Sequence, residues 1–150
     1  MKTLIAILTL ISISTFTYAN DLYWYENYND ALDKAANDNK FVLADFTGSD
    51  WCPWCIKLEE EVFDKPEFES YAEENLVLLK VDFPQSKELS NEIKKQNGLL
   101  EDKYNVDGFP TVLILDKEGE IVDRMGYQEG GPIPYVDTIK KSISDYQVQN

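Results

Sequence analysis

The stretch Phe41-Val42-Leu43-Ala44-Asp45-Phe46-Thr47-Gly48-Ser49-Asp50-Trp51-Cys52-Pro53-Trp54-Cys55 decides the fold. Its first six residues form an apolar run of strand length, broken by one acid, of the kind buried in a parallel sheet. Thr47–Asp50 is loop chemistry. A helix then starts at Cys52, with Pro53 at the first helical position, where a missing N–H costs nothing. Cys55, Leu58 and Val62 fall on one helix face. Both cysteines of the chain lie here, three positions apart, so their sulfurs can meet at the helix start. Unpaired backbone N–H groups and the helix dipole favour an anion there, which lowers a thiol's pKa below the usual value of about 8.5. A stabilising staple is the first alternative, but a four-residue loop contributes only about 2 kcal/mol, against about 3 for fifteen residues. Half of a metal site is the second, and it lacks the usual partner ligands.

Outward from this segment the chain alternates. Residues 20–39 carry Tyr25, Tyr28, Leu32 and Ala35 at helical spacing, ending at Asn37-Asp38-Asn39. Pro66 opens a short helix with Phe68 and Tyr71. Leu76–Asp82 is a second apolar strand. Residues 86–104 read as a helix through Leu89, Ile93, Gln96, Leu100 and Tyr104, weakened at Gly98. Thr111–Leu115 is a third strand, and a turn at Lys117–Glu120 leads into Ile121–Met125. After Gly130-Gly131-Pro132, the residues Ile133, Val136, Ile139, Ile143 and Tyr146 mark a final amphipathic helix. Alternation closed by one hairpin implies an α/β fold, a mixed central sheet with helices on both faces, plus an extra N-terminal helix.

Composition narrows the function. The 150 residues hold 28 acids against 14 bases, a net charge of −14, so binding to phosphate backbones is excluded. Hydrophobic residues make up 43%, enough for a real core. Histidine is absent. That removes histidine-ligated zinc, the Ser-His-Asp triad and the Cys-His dyad, and no metal or organic cofactor is expected. Residues 1–19 combine Lys2, an apolar stretch from Leu4 to Ile13, and a small residue at Ala19. They are expected to be a signal peptide, with cleavage near Ala19 releasing residues 20–150 as one domain; an uncleaved anchor or a buried first helix is the alternative. A periplasmic or secreted location, where disulfides persist, follows.

From Phe41 to Tyr146 the sequence resembles the thioredoxin superfamily. Three features carry the resemblance: Phe41–Phe46 before Trp51-Cys52-Pro53-Trp54-Cys55, Gly108-Phe109-Pro110-Thr111 before a strand, and the closing hairpin after it. The stretch around Asp45 to Cys52, and from Cys55 to Pro66-Glu67-Phe68, is similar to the C-terminal domain of bacterial thiol:disulfide interchange proteins. The chain departs from that pattern in its Pro53-Trp54 dipeptide and in one additional residue around Thr47–Asp50.

The resemblance implies a thioredoxin-like fold and a thiol–disulfide oxidoreductase. Cys52 is then the more exposed attacking sulfur and Cys55 the resolving one. Asp45 matches the buried acid that moves a proton to and from the resolving cysteine, and burial should raise its pKa. Glu59, four residues after Cys55, matches an acid that tunes cysteine acidity; the alternative is a solvated helix carboxylate. Pro110 is expected in the cis form after Phe109, in a loop that binds substrate backbone as an added strand. Substrate contacts are expected from Trp54, Pro53, Phe109 and Thr111, with Trp51 packed on the sheet edge. Lys80 either pairs with Asp45 or reaches solvent.

Partners are expected to be protein or peptide thiols and disulfides, together with a membrane or soluble redox partner, and the protein is expected to be a monomer. The acidic surroundings and the absence of histidine between the cysteines argue for a reducing or isomerase-like potential, about −200 to −270 mV. The rival from another class is a non-catalytic binding or adaptor module whose disulfide is inert.

Overall fold

The computed structural model describes residues 22–149. The expected signal peptide and its cleavage point at Ala19 lie outside the described residues. The elements are β1 (Trp24–Tyr25), α1 (Tyr28–Asp38), β2 (Phe41–Thr47), α2 (Pro53–Leu58) continued by a π-helical turn (Glu59–Phe63), α3 (Pro66–Asn75), β3 (Leu76–Asp82), α4 (Asn91–Lys103), β4 (Thr111–Leu115), β5 (Ile121–Met125) and α5 (Pro132–Gln149).

Sheet order is β1-β3-β2-β4-β5. β1 and β2 both run parallel to β3, while β4 is antiparallel to β2 and to β5. The central strands β2 and β3 are buried along nearly their whole length, as their apolar runs, interrupted only by Asp45 and Lys80 before their polar last residues, require. Side chains alternate across the sheet. Leu43, Leu78, Val112 and Ile114 face a core built with Leu58, Val62, Phe63, Phe68, Tyr135 and Ile139 of α2, the π turn, α3 and α5. Val42, Ala44, Phe46, Val81 and Leu113 face the second core, with Ala31 and Ala35 of α1 and Leu100 of α4. Helices therefore cover both faces.

The N-terminal region differs from expectation. The helix begins at Tyr28, capped by the Asn27 side chain, which accepts from the Asp30 N–H, and it ends at Asn39 in the left-handed conformation. Tyr25 belongs instead to β1, a two-residue edge strand in register with Leu78 and Leu79. The N-terminal helix thus connects β1 to β2. Two residues are too few to show a period, and the tyrosine spacing alone ran the helical pattern too far upstream. The helix expected over 86–104 is confined to Asn91–Lys103, because the Ser90 side chain caps it by accepting from the Ile93 N–H.

Candidate active site

The site is built where β2 ends. Backbone N–H groups of Trp51 and Cys52 donate to Gly48 O at 3.2 and 2.9 Å, closing a tight turn after Thr47. The polar side chains of the turn are tied to the neighbouring end of β3 and the loop after it, since Thr47 and Asp82 are in register. Ser49 donates from its backbone N–H and its hydroxyl to Asp82. Asp50 accepts from the backbone N–H groups of Gln85 and Ser86 and from the Ser86 hydroxyl. The Ser86 hydroxyl and these N–H groups hold the Asp50 carboxyl down at about 2.

Cys52 caps α2 in extended conformation, with Pro53 at the first helical position, and its Sγ accepts from the Cys55 N–H at 3.2 Å. The two cysteines form a disulfide with their Cα atoms 5.2 Å apart. Each residue is only 4% exposed, so residue burial does not make Cys52 the more open of the two, contrary to the sequence expectation. The distinction is one of place. Cys52 lines a surface cleft of about 360 Å3 with Trp51, Glu101, Asp107, Gly108 and Phe109, and Cys55 is not among the lining residues. The helix turn behind Cys52 puts Cys55 on the buried stripe with Leu58 and Val62.

Beneath the site Asp45 is 3% exposed, and its Oδ1 has no hydrogen-bond partner. It shares the sheet face of Leu43, the face on which α2 packs. Burial pushes its carboxyl up to about 7; Lys80 opposes the shift, while Glu59 and Asp82 add to it. Lys80 does not pair with Asp45. Its Nζ donates to Glu59 Oε1 at 2.7 Å and sits over the Trp24 ring. Glu59 is accordingly a half-buried ion-pair partner, not a solvated carboxylate.

The Phe109–Pro110 peptide is cis. Gly108 and Phe109 border the cleft beside Cys52. Thr111 turns its hydroxyl back to Gly108 O, tightening the loop rather than facing the cleft. The two tryptophans divide differently from expectation. Trp51 lines the cleft, packs edge-on against Phe109 and donates from Nε1 to Phe83 O at 2.7 Å. Trp54 is 54% exposed, and lies against Tyr127 with the Lys57 ammonium over both rings, outside the cleft lining. Pro53 is exposed at the helix start. Glu101 and Asp107 carried no sequence signal, because their neighbourhood to Cys52 arises only when α4 and the following loop close over the turn. Among the described residues no cluster of acids and cysteines is arranged to hold a metal ion.

A thioredoxin-like domain family model matches residues 28–131, from the start of α1 to the turn before α5. The chain belongs to the thioredoxin-like family. Disulfide bond reductase DsbH of Chlamydia pneumoniae is 38% identical over 125 residues, which covers 83% of this chain and 75% of that protein. A solved structure of a DsbH oxidoreductase superposes with a TM-score of 0.81 at 35% identity, covering 93% of this chain and 95% of that one. Thiol:disulfide interchange protein DsbD of Photorhabdus laumondii is 33% identical over 84 residues, 56% of this chain but only 13% of that much longer protein. With a Cys-x-x-Cys disulfide at the helix start, this thioredoxin-like chain is a thiol–disulfide oxidoreductase.

Proposed function

We propose that the chain is an exported reductase of protein disulfides, with Cys52 attacking and Cys55 resolving. The observation that carries this reading is the asymmetry of the pair: Cys52 borders an open cleft, and Cys55 lies behind it. In the reduced state the Cys52 thiolate attacks one sulfur of a substrate disulfide. The other substrate sulfur leaves as a thiolate and takes a proton. Cys55, giving its proton to the Asp45 carboxylate, then attacks Cys52 Sγ. The second substrate thiolate is expelled, and the Cys52–Cys55 disulfide returns. A carboxyl with a pKa of about 7 suits that transfer, because both of its forms are populated near neutral pH. A dithiol donor resets the cycle by accepting the disulfide. Glu59 and Lys80 act by setting the field at Asp45. The loop at Gly108-Phe109-Pro110 receives the substrate backbone.

Insulin reduction in the presence of dithiothreitol tests the activity. The wild-type protein should accelerate precipitation and Cys52→Ser should not. A Cys52–Cys55 disulfide that stays inert would overturn the reading in favour of an adaptor module. Glutathione titration tests the direction: a potential of about −200 to −270 mV is expected, and one near −120 mV would exclude a reductant. N-terminal sequencing of the protein recovered outside the cytoplasm should begin at Asn20.

A further inference from the structure

The cleft beside Cys52 contains more chemistry than disulfide exchange needs. Six residues line it, and they include two carboxylates, Glu101 and Asp107, and no cation. Other acids around the site have structural work. Asp50 and Asp82 fasten the turn, Glu59 holds Lys80, and Glu61 accepts from the Tyr127 hydroxyl. Glu101 and Asp107 have none: among the described residues neither side chain has a hydrogen bond or an ion pair. Yet the backbone holds them in place. At the end of α4 the Val106 N–H donates to Glu101 O at 3.0 Å, and Asn105 takes the left-handed conformation, so the chain folds Asp107 back beside the helix turn that carries Glu101. The cleft is also lined by aromatic side chains, and their packing fixes them. Phe109 stacks on Phe83 with ring centres 5.0 Å apart and meets Trp51 edge-on.

We propose that this cleft selects polypeptide disulfides whose reacting cysteine is flanked by arginine or lysine, the cation meeting Glu101 and Asp107 while its apolar stem lies along Trp51 and Phe109. The proposal rests on Cys52 being the attacking sulfur. Two unpartnered carboxylates in a cleft with apolar walls focus a negative potential where substrate enters. A guanidinium can take both carboxylate hydrogen bonds and stack on an aromatic face. The same cation removes a cost of the reaction, since a Cys52 thiolate formed beside two carboxylates is otherwise opposed by like charge.

The test uses three disulfide-linked peptide dimers of equal length, in which the single cysteine is flanked by arginine, glutamine or glutamate. Rates of oxidation of the fully reduced protein are followed by stopped-flow tryptophan fluorescence at low and high salt. The arginine peptide should react about tenfold faster than the glutamine peptide at low salt, and the glutamate peptide slower still, with the spread narrowing at high salt. E101Q/D107N should bring the arginine-to-glutamate ratio within about threefold. E67Q/E69Q, which makes the same change in net charge on α3 across the sheet, should keep the wild-type ratio. Equal wild-type rates for the three peptides would overturn the proposal, as would an equal fall of the ratio in both double variants. In either case a reduced glutamine peptide leaves the assignment of Cys52 standing. Reduction of none of the three would overturn both.

Discussion

Lys80 Nζ lies 2.7 Å from Glu59 Oε1, although the residue in register with Lys80 on the neighbouring strand is Asp45. The lysine is thereby shared unequally. It pairs with the more exposed carboxylate and only partly offsets the burial of the other. Asp45 keeps an orphaned oxygen and a pKa of about 7. Trp24 of β1 completes this arrangement by placing its ring under the ammonium.

Asp45 makes stability depend on pH. Its native pKa of about 7 exceeds the unfolded carboxylate value of about 3.9. Between about pH 4 and pH 7 the native state therefore holds a proton that the unfolded chain has lost, so stability falls as pH rises and levels off above the native pKa. Asp45→Asn should be more stable than wild type by roughly 2–4 kcal/mol at pH 8, the difference vanishing toward pH 4. Urea unfolding at several pH values checks this, and a constant difference would exclude the cause.

The two partners of Asp45 should move its titration in opposite directions. Lys80→Met removes the cation that opposes the shift and should raise the midpoint. Glu59→Gln removes a like charge, frees Lys80, and should lower it. Carboxyl 13C NMR reads the midpoint directly. Lys80→Met should also cost about 1–3 kcal/mol, because Glu59 is left half-buried without its partner.

Gly48 is small because of Trp51. A Cβ at position 48 would lie 2.5 Å from the Trp51 ring. Gly48→Ala should therefore displace the indole, break its hydrogen bond to Phe83 O and cost about 1–3 kcal/mol. A shifted tryptophan emission with slower peptide reduction is the expected signature; an unchanged spectrum would contradict it.

The tryptophans should separate kinetically. Trp51→Ala removes a wall of the cleft and should raise KM for peptide disulfides roughly tenfold, whereas Trp54→Ala should change it less than about threefold. The opposite ranking would move substrate contact to the Trp54–Tyr127 side.

Cys55→Ser should stop the cycle after the first step. A mixed disulfide through Cys52 should accumulate and be visible by mass spectrometry, whereas Cys52→Ser should trap none.

Local chemistry was enough to read most of the architecture. β2, β3 and β4 are mostly apolar runs of strand length, Pro53 and Pro66 open helices, and Gly130-Gly131 precedes α5. The cysteine pair was legible because its spacing and its proline lie within one helical turn. β1 was not, since its two residues are a strand only because Leu78 and Leu79 pair with them. Nor did the sequence show the partner of Lys80: Asp45 or solvent was expected, and the pairing with Glu59 depends on where the π turn sets that residue down.

The sequence by itself determined a sheet of buried strands, a disulfide at a helix start and an acid among apolar neighbours, because each is written within a few consecutive residues. Only the tertiary structure decided that Cys52 and not Cys55 meets the cleft, that Trp51 and not Trp54 lines it, and that Glu101 and Asp107 line the same cleft. Those relations join positions about fifty residues apart in the chain, and distances of that kind are set by how helices and loops pack on the sheet, not by the identity of neighbours in sequence.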